Sequence, residues 1–371
     1  MISTPNSHVG NLPAVGINAI SIFRPPWVLS NDWFDSIPRK FVKHTGILNR
    51  HVSNRDEVEL AVEATNKLIS ETSCDLGDCA GIVFTSPSYV PINVAREFMD
   101  EDQLEKEQLD AAANLFAQRM QIRPRVVIAD NTYCAGYASA LSIVRNTVNP
   151  LIKLQKNEFV LVLTSSRISR ITDYSCSQSS ALFGDLATAT IISRLDSDKY
   201  PARFELVAVN VEEKAMNRSF FQFRLQHNVL APTQEGGKRF HKDRVVFLLD
   251  GMGIADAAPR AMANASSELL SETRWRHEDI DYIVPHQAGS AIVRLAEMKL
   301  RESGFTCHVI NDMTRDVGNV SSGSIPFTLH EKWAQLDGNI LCPVASVGPP
   351  GKPAVMQGCI ALRSTTSHST V

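Results

Sequence analysis

The chain has 371 residues, 44% of them hydrophobic, with 37 Lys+Arg against 40 Asp+Glu for a formal net charge of −3. That is ample for a large buried core, and the near balance of charge removes any whole-chain electrostatic case for nucleic acid, where a basic excess is expected. No apolar run approaches the roughly 20 residues that span a bilayer, and residues 1–8 have neither a basic nor an apolar signal-peptide region, so the expected location is the cytoplasm, with no membrane partner. In chain order, residues 16–22 read as a strand and 56–71 carry apolar residues at helical spacing. A strand at 81–85, a helix over 103–120 and a strand at 126–129 follow, the last running into a small-residue helix from 135 to about 147. Residues 159–164 are apolar throughout, as a strand buried on both faces should be. The second half predicts strands at 188–192 and 204–209, a long helix from about 247 to 270, a strand at 282–284 and helices over 290–301 and roughly 324–336. Strands at 340–345 and 354–362 close it, and the polar tail after Arg363 is expected to fray. The most turn-rich stretches are 197–202, 226–243 and 346–353.

Strands alternating with helices argue for an α/β layered fold. Two similar halves, 1–195 and 196–371, suggest a pseudo-repeat, although no residue-level repeat is visible.

Seven cysteines occur, at 74, 79, 134, 176, 307, 342 and 359. The number is odd, the spacing is scattered and no CxxC pair is present, which argues against a zinc site and against a secreted disulfide framework. The usual fate of such a cysteine is a small buried hydrophobe. Cys134 stands apart through its context, Ala129-Asp130-Asn131-Thr132-Tyr133-Cys134-Ala135-Gly136, where a buried strand ends, a sharp turn follows and a helix begins. A thiol at a helix N-terminus has free N–H groups and the macrodipole to stabilise its thiolate. His286, in Val284-Pro285-His286-Gln287-Ala288, stands at the C-terminal edge of a strand, where open α/β sheets place ligands. A lone histidine there is more often structural; beside Cys134 it becomes a candidate imidazole partner. Asn319 lies in the loop Gly318-Asn319-Val320-Ser321-Ser322-Gly323, where an asparagine is usually a cap.

Each signal alone is weak, and the three in this order are strong. Together they resemble the β-ketoacyl-(acyl carrier protein) synthase III family of the thiolase superfamily. Thr45-Gly46-Ile47 with Arg50-His51, and Phe183-Gly184-Asp185, extend the resemblance over about residues 15–363. It implies a five-layered αβαβα fold, a homodimer, no cofactor and no metal. It also implies a ping-pong acyl transfer in which Cys134 takes an acyl group from an acyl carrier protein or CoA thioester. A second thioester, malonyl or β-ketoacyl, then supplies a carbanion, and His286 and Asn319 hydrogen-bond its enolate. An oxyanion hole for the acyl carbonyl would use the backbone N–H of Cys134 and that of Gly348, although Ser346-Val347-Gly348-Pro349-Pro350-Gly351 departs from the family's glycine run.

Other departures bear on substrate. Housekeeping enzymes of the family grip the adenine of CoA between a Trp and an Arg. Residues 39–44 hold no Trp here, and 177–182 hold no Arg. A local basic cluster of Arg39, Lys40, Lys43 and Arg50 is a candidate dock for an acidic carrier protein. The region 93–120 is longer than the family's by very roughly 15–20 residues and carries Asp100-Glu101-Asp102, Glu105, Glu107 and Asp110. It reads as a solvated helix face or as an element reshaping the tunnel mouth or the dimer contact. These departures suggest a specialised relative in a fatty-acid-derived or polyketide pathway. The leading reading is Claisen-type condensation. The alternative is acyl transfer to an alcohol or amine without a new C–C bond. An inactive scaffold would be expected to lack Cys134, His286 or Asn319, and nothing marks the water-activating carboxylate of a thiol hydrolase.

Overall fold

A computed structural model describes residues 13–365. The opening residues 1–8 and the tail beyond 365 lie outside the described residues. The strands in chain order are β1 (Val15–Phe23), β2 (Trp27–Ser30), β3 (Asn49–Val52), β4 (Cys79–Thr85), β5 (Val126–Asp130), β6 (Phe159–Ser166) and β7 (Leu186–Arg194). There follow β8 (Phe204–Ala215), β9 (Phe221–Pro232), β10 (Lys238–Leu249), β11 (Tyr282–Ile283), β12 (His308–Val309), β13 (Asn339–Val347) and β14 (Ala354–Ser364).

Ten strands form one sheet in the order β12-β11-β13-β14-β8-β1-β7-β6-β4-β5, and β9-β10 and β2-β3 form two small ribbons. Among the described residues the large sheet is joined at its middle by two residue pairs, Gly16 to Glu205 and Ile17 to Phe204. On either side of that seam the topology repeats. In the first half β1–β7 and β7–β6 are antiparallel, and β6–β4 and β4–β5 are parallel. In the second, β8–β14 and β14–β13 are antiparallel, and β13–β11 and β11–β12 are parallel. Each half is therefore the same five-strand winding, with residues 195–203 connecting them.

The layers follow from where alternating side chains go. In β6, Val160 and Val162 face one core, while Phe159, Leu161 and Leu163 face another. The first core takes strand residues from both halves and encloses Tyr137, Ala138 and Leu141 of the helix Gly136–Ile143 with Ile325 and Leu329 of the helix Ser324–Glu331. The second core is covered by the helices Glu57–Thr72 and Leu109–Arg119. A third packs Ala263, Leu269, Val293 and Leu300 of the helices Gly251–Thr273 and Ser290–Glu302 against β8, β13 and β14. The result is helix, sheet, helix, sheet, helix, the α/β thiolase fold expected.

Several stretches differ from the sequence reading. Residues 247–249 end strand β10, and the helix starts at Gly251 behind Asp250, whose side chain accepts the Gly253 N–H at 2.9 Å. Much of the turn-rich stretch 226–243 is the hairpin β9–β10, in register from Phe221–Leu249 to Pro232–Lys238. The helix expected over 103–120 is two pieces, Glu101–Lys106 and Leu109–Arg119.

Candidate active site

The parallel strands of both halves end on one side of the molecule, and the site is built from the segments that leave them. After β5 the chain makes a 3-10 turn, Tyr133–Ala135, and enters the buried helix Gly136–Ile143. Tyr133 has φ 51°, a left-handed conformation that costs a bulky residue energy and sharpens the turn carrying Cys134. Gly136 is required next to it: a Cβ there would overlap Thr85 Oγ1 and crowd Ser322 Cβ. His286 follows β11 and is fixed through its backbone, its N–H donating to Pro343 O at 2.9 Å. The next amide, Gln287 N–H, donates to Ser324 Oγ at 2.7 Å, and the Gln287 side chain donates to Pro285 O and Ile310 O. Asn319 is held in a short parallel bridge with Phe183: its N–H donates to Leu182 O at 2.7 Å, and its carbonyl accepts from Gly184 N–H at 3.1 Å.

Cys134, His286 and Asn319 all line one cavity of about 770 Å³. Its walls are apolar over most of their area, with Phe41, Leu182, Phe183, Ile168, Ile171, Phe221, Phe247 and Leu249 from one side and Met252, Ile254, Ala255 and Ile292 from another. The hairpin β9–β10 thus supplies part of the wall, which the sequence reading did not anticipate.

Cys134 is half-buried, with the Ser321 hydroxyl donating to its sulfur at 3.4 Å and its own N–H donating to Ser346 Oγ at 3.0 Å. Burial pushes its thiol above the ordinary value, and the hydrogen bonds from Ser321 and Ser346 pull it back part of the way. His286 is 2% exposed, and burial pushes it down to about 4, so the ring is neutral near pH 7. Its Nδ1 is enclosed without a hydrogen-bond partner among the described residues. Asn319 is oriented by the Ser321 N–H, which donates to Oδ1 at 2.9 Å and leaves Nδ2 as its donor end. A neutral imidazole and a fixed amide donor beside a thiol form a pocket suited to developing negative charge on oxygen.

Two sequence expectations are corrected. Gly348 does not line the cavity; its N–H donates to Ala354 O at 3.1 Å, continuing the β13–β14 ladder. The strands pinch there, since a Cβ on Gly348 would lie 2.6 Å from Ala354 O, so that glycine serves strand packing and its N–H is not free for an oxyanion. Arg50 is fully buried, donating to Leu29 O at 3.1 Å, Asn31 Oδ1 at 2.5 Å and Ala181 O at 2.9 Å, over the Phe34 ring. It is a structural cation and presents no charge to a partner. Arg39, Lys40 and Lys43 are exposed, and Lys40 sits on the cavity wall with Phe41 and His44 of the short helix Phe41–Thr45.

The acidic insertion divides into two uses. Asp100 caps the helix Glu101–Lys106, accepting Gln103 N–H at 2.9 Å. Glu107 is buried, ion-paired with Arg170 and accepting Val90 N–H at 2.9 Å, which ties the insertion to the loop after β4. The nearest tryptophan upstream of residues 39–44, Trp33, packs edge-on against Phe34 and Tyr174 and donates to Gly236 O at 2.9 Å; it is not among the cavity-lining residues. Ser321 and Ser346, which touch Cys134, were missed as site residues, because sequence gives no direction to a hydroxyl.

Comparison with known proteins agrees with this architecture. Residues 130–210 match the family model for 3-oxoacyl-(acyl carrier protein) synthase III, and residues 270–348 match that for its C-terminal part. The chain is 22% identical over 327 residues to a β-ketoacyl-(acyl carrier protein) synthase III from Staphylococcus haemolyticus, covering 86% of this chain and 89% of the relative. Among solved structures it resembles 3-oxoacyl-(acyl carrier protein) synthase III of Pseudomonas aeruginosa, with TM-score 0.70, 20% identity and coverage of 95% and 99%. It also resembles AbyA1, a tetronic acid condensing enzyme, with TM-score 0.69, 17% identity and coverage of 94% and 100%.

Proposed function

The chain belongs with the 3-oxoacyl-(acyl carrier protein) synthase III enzymes of the thiolase superfamily, and from that premise we propose that it is an acyl-transferring condensing enzyme that primes itself on Cys134. The observation that supports the reading most directly is the convergence of Cys134, His286 and Asn319, from three separate loops, on one apolar cavity. The Cys134 sulfur attacks the carbonyl of an acyl thioester, and the acyl chain lies among the apolar walls. The carrier leaves as its thiol. A second thioester then enters and becomes an enolate, by loss of CO2 from a malonyl group or by deprotonation of a β-ketoacyl group, whose proton ends on the Cys134 thiolate released at the last step. The Asn319 amide, fixed by Ser321 N–H, and the neutral His286 ring donate to the enolate oxygen. A donor already oriented before charge develops costs no reorganisation at the moment of reaction, and losing one costs about 10²–10³ in rate. Attack of the enolate carbon on the acyl thioester makes the new C–C bond and frees Cys134.

The carrier end of the donor is read as an acyl carrier protein. The cavity wall offers Lys40 and His44 with neither Trp nor Arg of the adenine clamp, and Arg39 and Lys43 stand exposed beside it. The enzyme works as a homodimer in the cytoplasm, with the two five-strand halves, 1–195 and 196–371, as the units of its pseudo-repeat.

Intact-protein mass spectrometry tests this reading. Wild-type enzyme and Cys134→Ala are incubated with matched acyl-CoA and acyl-(acyl carrier protein) donors. An acyl mass increment on the wild type alone, faster from the carrier protein, is expected. Equal loading from CoA overturns the carrier preference, and no loading from any donor overturns the enzyme.

A further inference from the structure

The acyl carbonyl of a loaded Cys134 needs two hydrogen-bond donors for the oxyanion of its tetrahedral intermediate. In the resting site neither expected backbone donor is free. Gly348 N–H is spent on Ala354 O at 3.1 Å, inside a strand pair too tight to release it. Cys134 N–H is occupied by a side chain, Ser346 Oγ, at 3.0 Å. Ser346 is 1% exposed and lines the cavity from the end of β13. Its hydroxyl is held loosely as a donor: Thr132 O lies 3.4 Å away, where a good O–H···O bond is about 2.7–2.8 Å, and its other partner is the Cys134 sulfur. The hydroxyl therefore accepts well and donates badly, which is the unloaded half of an oxyanion hole.

We propose that Ser346 is the second oxyanion donor, so that the hole consists of the Cys134 N–H and the Ser346 O–H in place of two backbone amides. This rests on the reading that Cys134 takes an acyl group. The incoming carbonyl oxygen displaces Ser346 Oγ from the Cys134 N–H. The Ser346 proton turns from Thr132 O to the same oxygen. As the sulfur attacks, an S–C bond forms and the carbonyl π pair moves onto the oxygen held by both donors. When the C=O reforms, the bond from carbon to the carrier sulfur breaks, and the departing thiolate ends with the proton that Cys134 gave up. Ser346 keeps its own proton throughout. Ser321 donates to the sulfur at 3.4 Å and stays with it, while Ser346, which also touches the sulfur at rest, turns to the carbonyl oxygen.

The test compares two reactions of the same thiol. Acylation by a thioester passes through an oxyanion; alkylation by iodoacetamide does not. Single-turnover acylation is measured for wild type and Ser346→Ala, alongside alkylation of Cys134. Acylation is expected to slow by about 10²–10³ with alkylation slowed far less, by at most about tenfold, since Ser346 also lowers the Cys134 thiol. Ser346→Thr and Ser346→Val, nearly equal in shape and both suited to a strand, carry the same test if the alanine variant does not fold: threonine keeps most of the rate and valine loses it. Acylation at the wild-type rate in the alanine or valine variant overturns the assignment. An equal fall in acylation and alkylation also overturns it, because the serine would then act on the sulfur. A wild type that acylates normally confines either failure to this assignment, whereas a wild type that never acylates overturns the enzyme reading and this one together.

Discussion

His286 shows how burial alone sets a chemical role. An imidazole exposed to water titrates near 6.5, yet here burial pushes it down to about 4. Above pH 6.5 the folded and unfolded chains both carry it neutral. As pH falls below that, the unfolded chain takes up a proton that the folded chain refuses, so the folded state loses stability between about 6.5 and 4. The difference corresponds to about 3 kcal/mol. Asp185, pushed up to about 6 by its own burial, titrates in the same window with the opposite sign. A comparison of wild type with His286→Gln cancels the Asp185 contribution. Urea denaturation at pH 7 and pH 4 is expected to show wild type losing about 3 kcal/mol more than the variant; parallel losses mean the ring is not sealed from protons. Arg50 is the opposite lesson. A cation on a stretch next to two lysines reads as a docking charge, because burial is invisible in a single sequence. In the fold it closes three backbone and side-chain acceptors, and Arg50→Ala leaves them unpaired in a cavity. Loss of about 3 kcal/mol in denaturation free energy is expected, with Lys43→Glu within about 0.5 kcal/mol of wild type.

At the scale of elements, the bridge between residues 182–184 and 317–319 determines where Asn319 points. Val317 O approaches so closely that a Cβ on Gly184 would overlap it, which is why the Phe183-Gly184-Asp185 run needs its glycine. Asp185 fastens the same run from below, accepting Ser53 N–H at 2.8 Å and Ser169 N–H at 3.0 Å. Gly184→Ala forces the two segments apart. It is expected to cost about 1–3 kcal/mol in stability and to slow condensation much more than Cys134 acylation, because Asn319 moves while Cys134 rides on another loop. Equal slowing of the two half-reactions counts against a role for the bridge in placing Asn319. The motifs around Cys134, His286 and Asn319 were legible because each sits where a buried strand ends and a tight loop begins. The hairpin β9–β10 was not. Its middle alternates poorly, with Arg224, His227 and Asn228 exposed, while Phe221, Phe223, Val245 and Phe247 join one core and Leu230 joins another. The apolar run at its end resembles a helix start until Asp250 is recognised as the cap.

For the whole molecule, the repeat of two five-strand windings was suggested by the sequence only as a rhythm of elements. Each half keeps a winding order that leaves no trace in residue identity, since a sheet core asks for apolar residues at alternate positions and little else. The winding also leaves β5 at one end of the ten-stranded sheet, where among the described residues it is hydrogen-bonded only to β4. Whereas β4 and β6 are buried along their whole length, every residue of β5 is only half-buried. Such an edge invites pairing, and we place the proposed dimer contact there. Arg125 N–H reaches Ala80 O at 2.8 Å, so strand alternation turns the N–H of Val127 toward β4 and that of Ile128 outward. Proline at 128 therefore leaves the ladder with β4 intact and removes an edge donor, while alanine there removes the same side chain and keeps the donor. Light scattering is expected to find Ile128→Pro monomeric and Ile128→Ala dimeric, both folded by circular dichroism. If both stay dimeric, the contact lies on another surface. If both become monomeric, side-chain packing rather than the strand edge holds the subunits together.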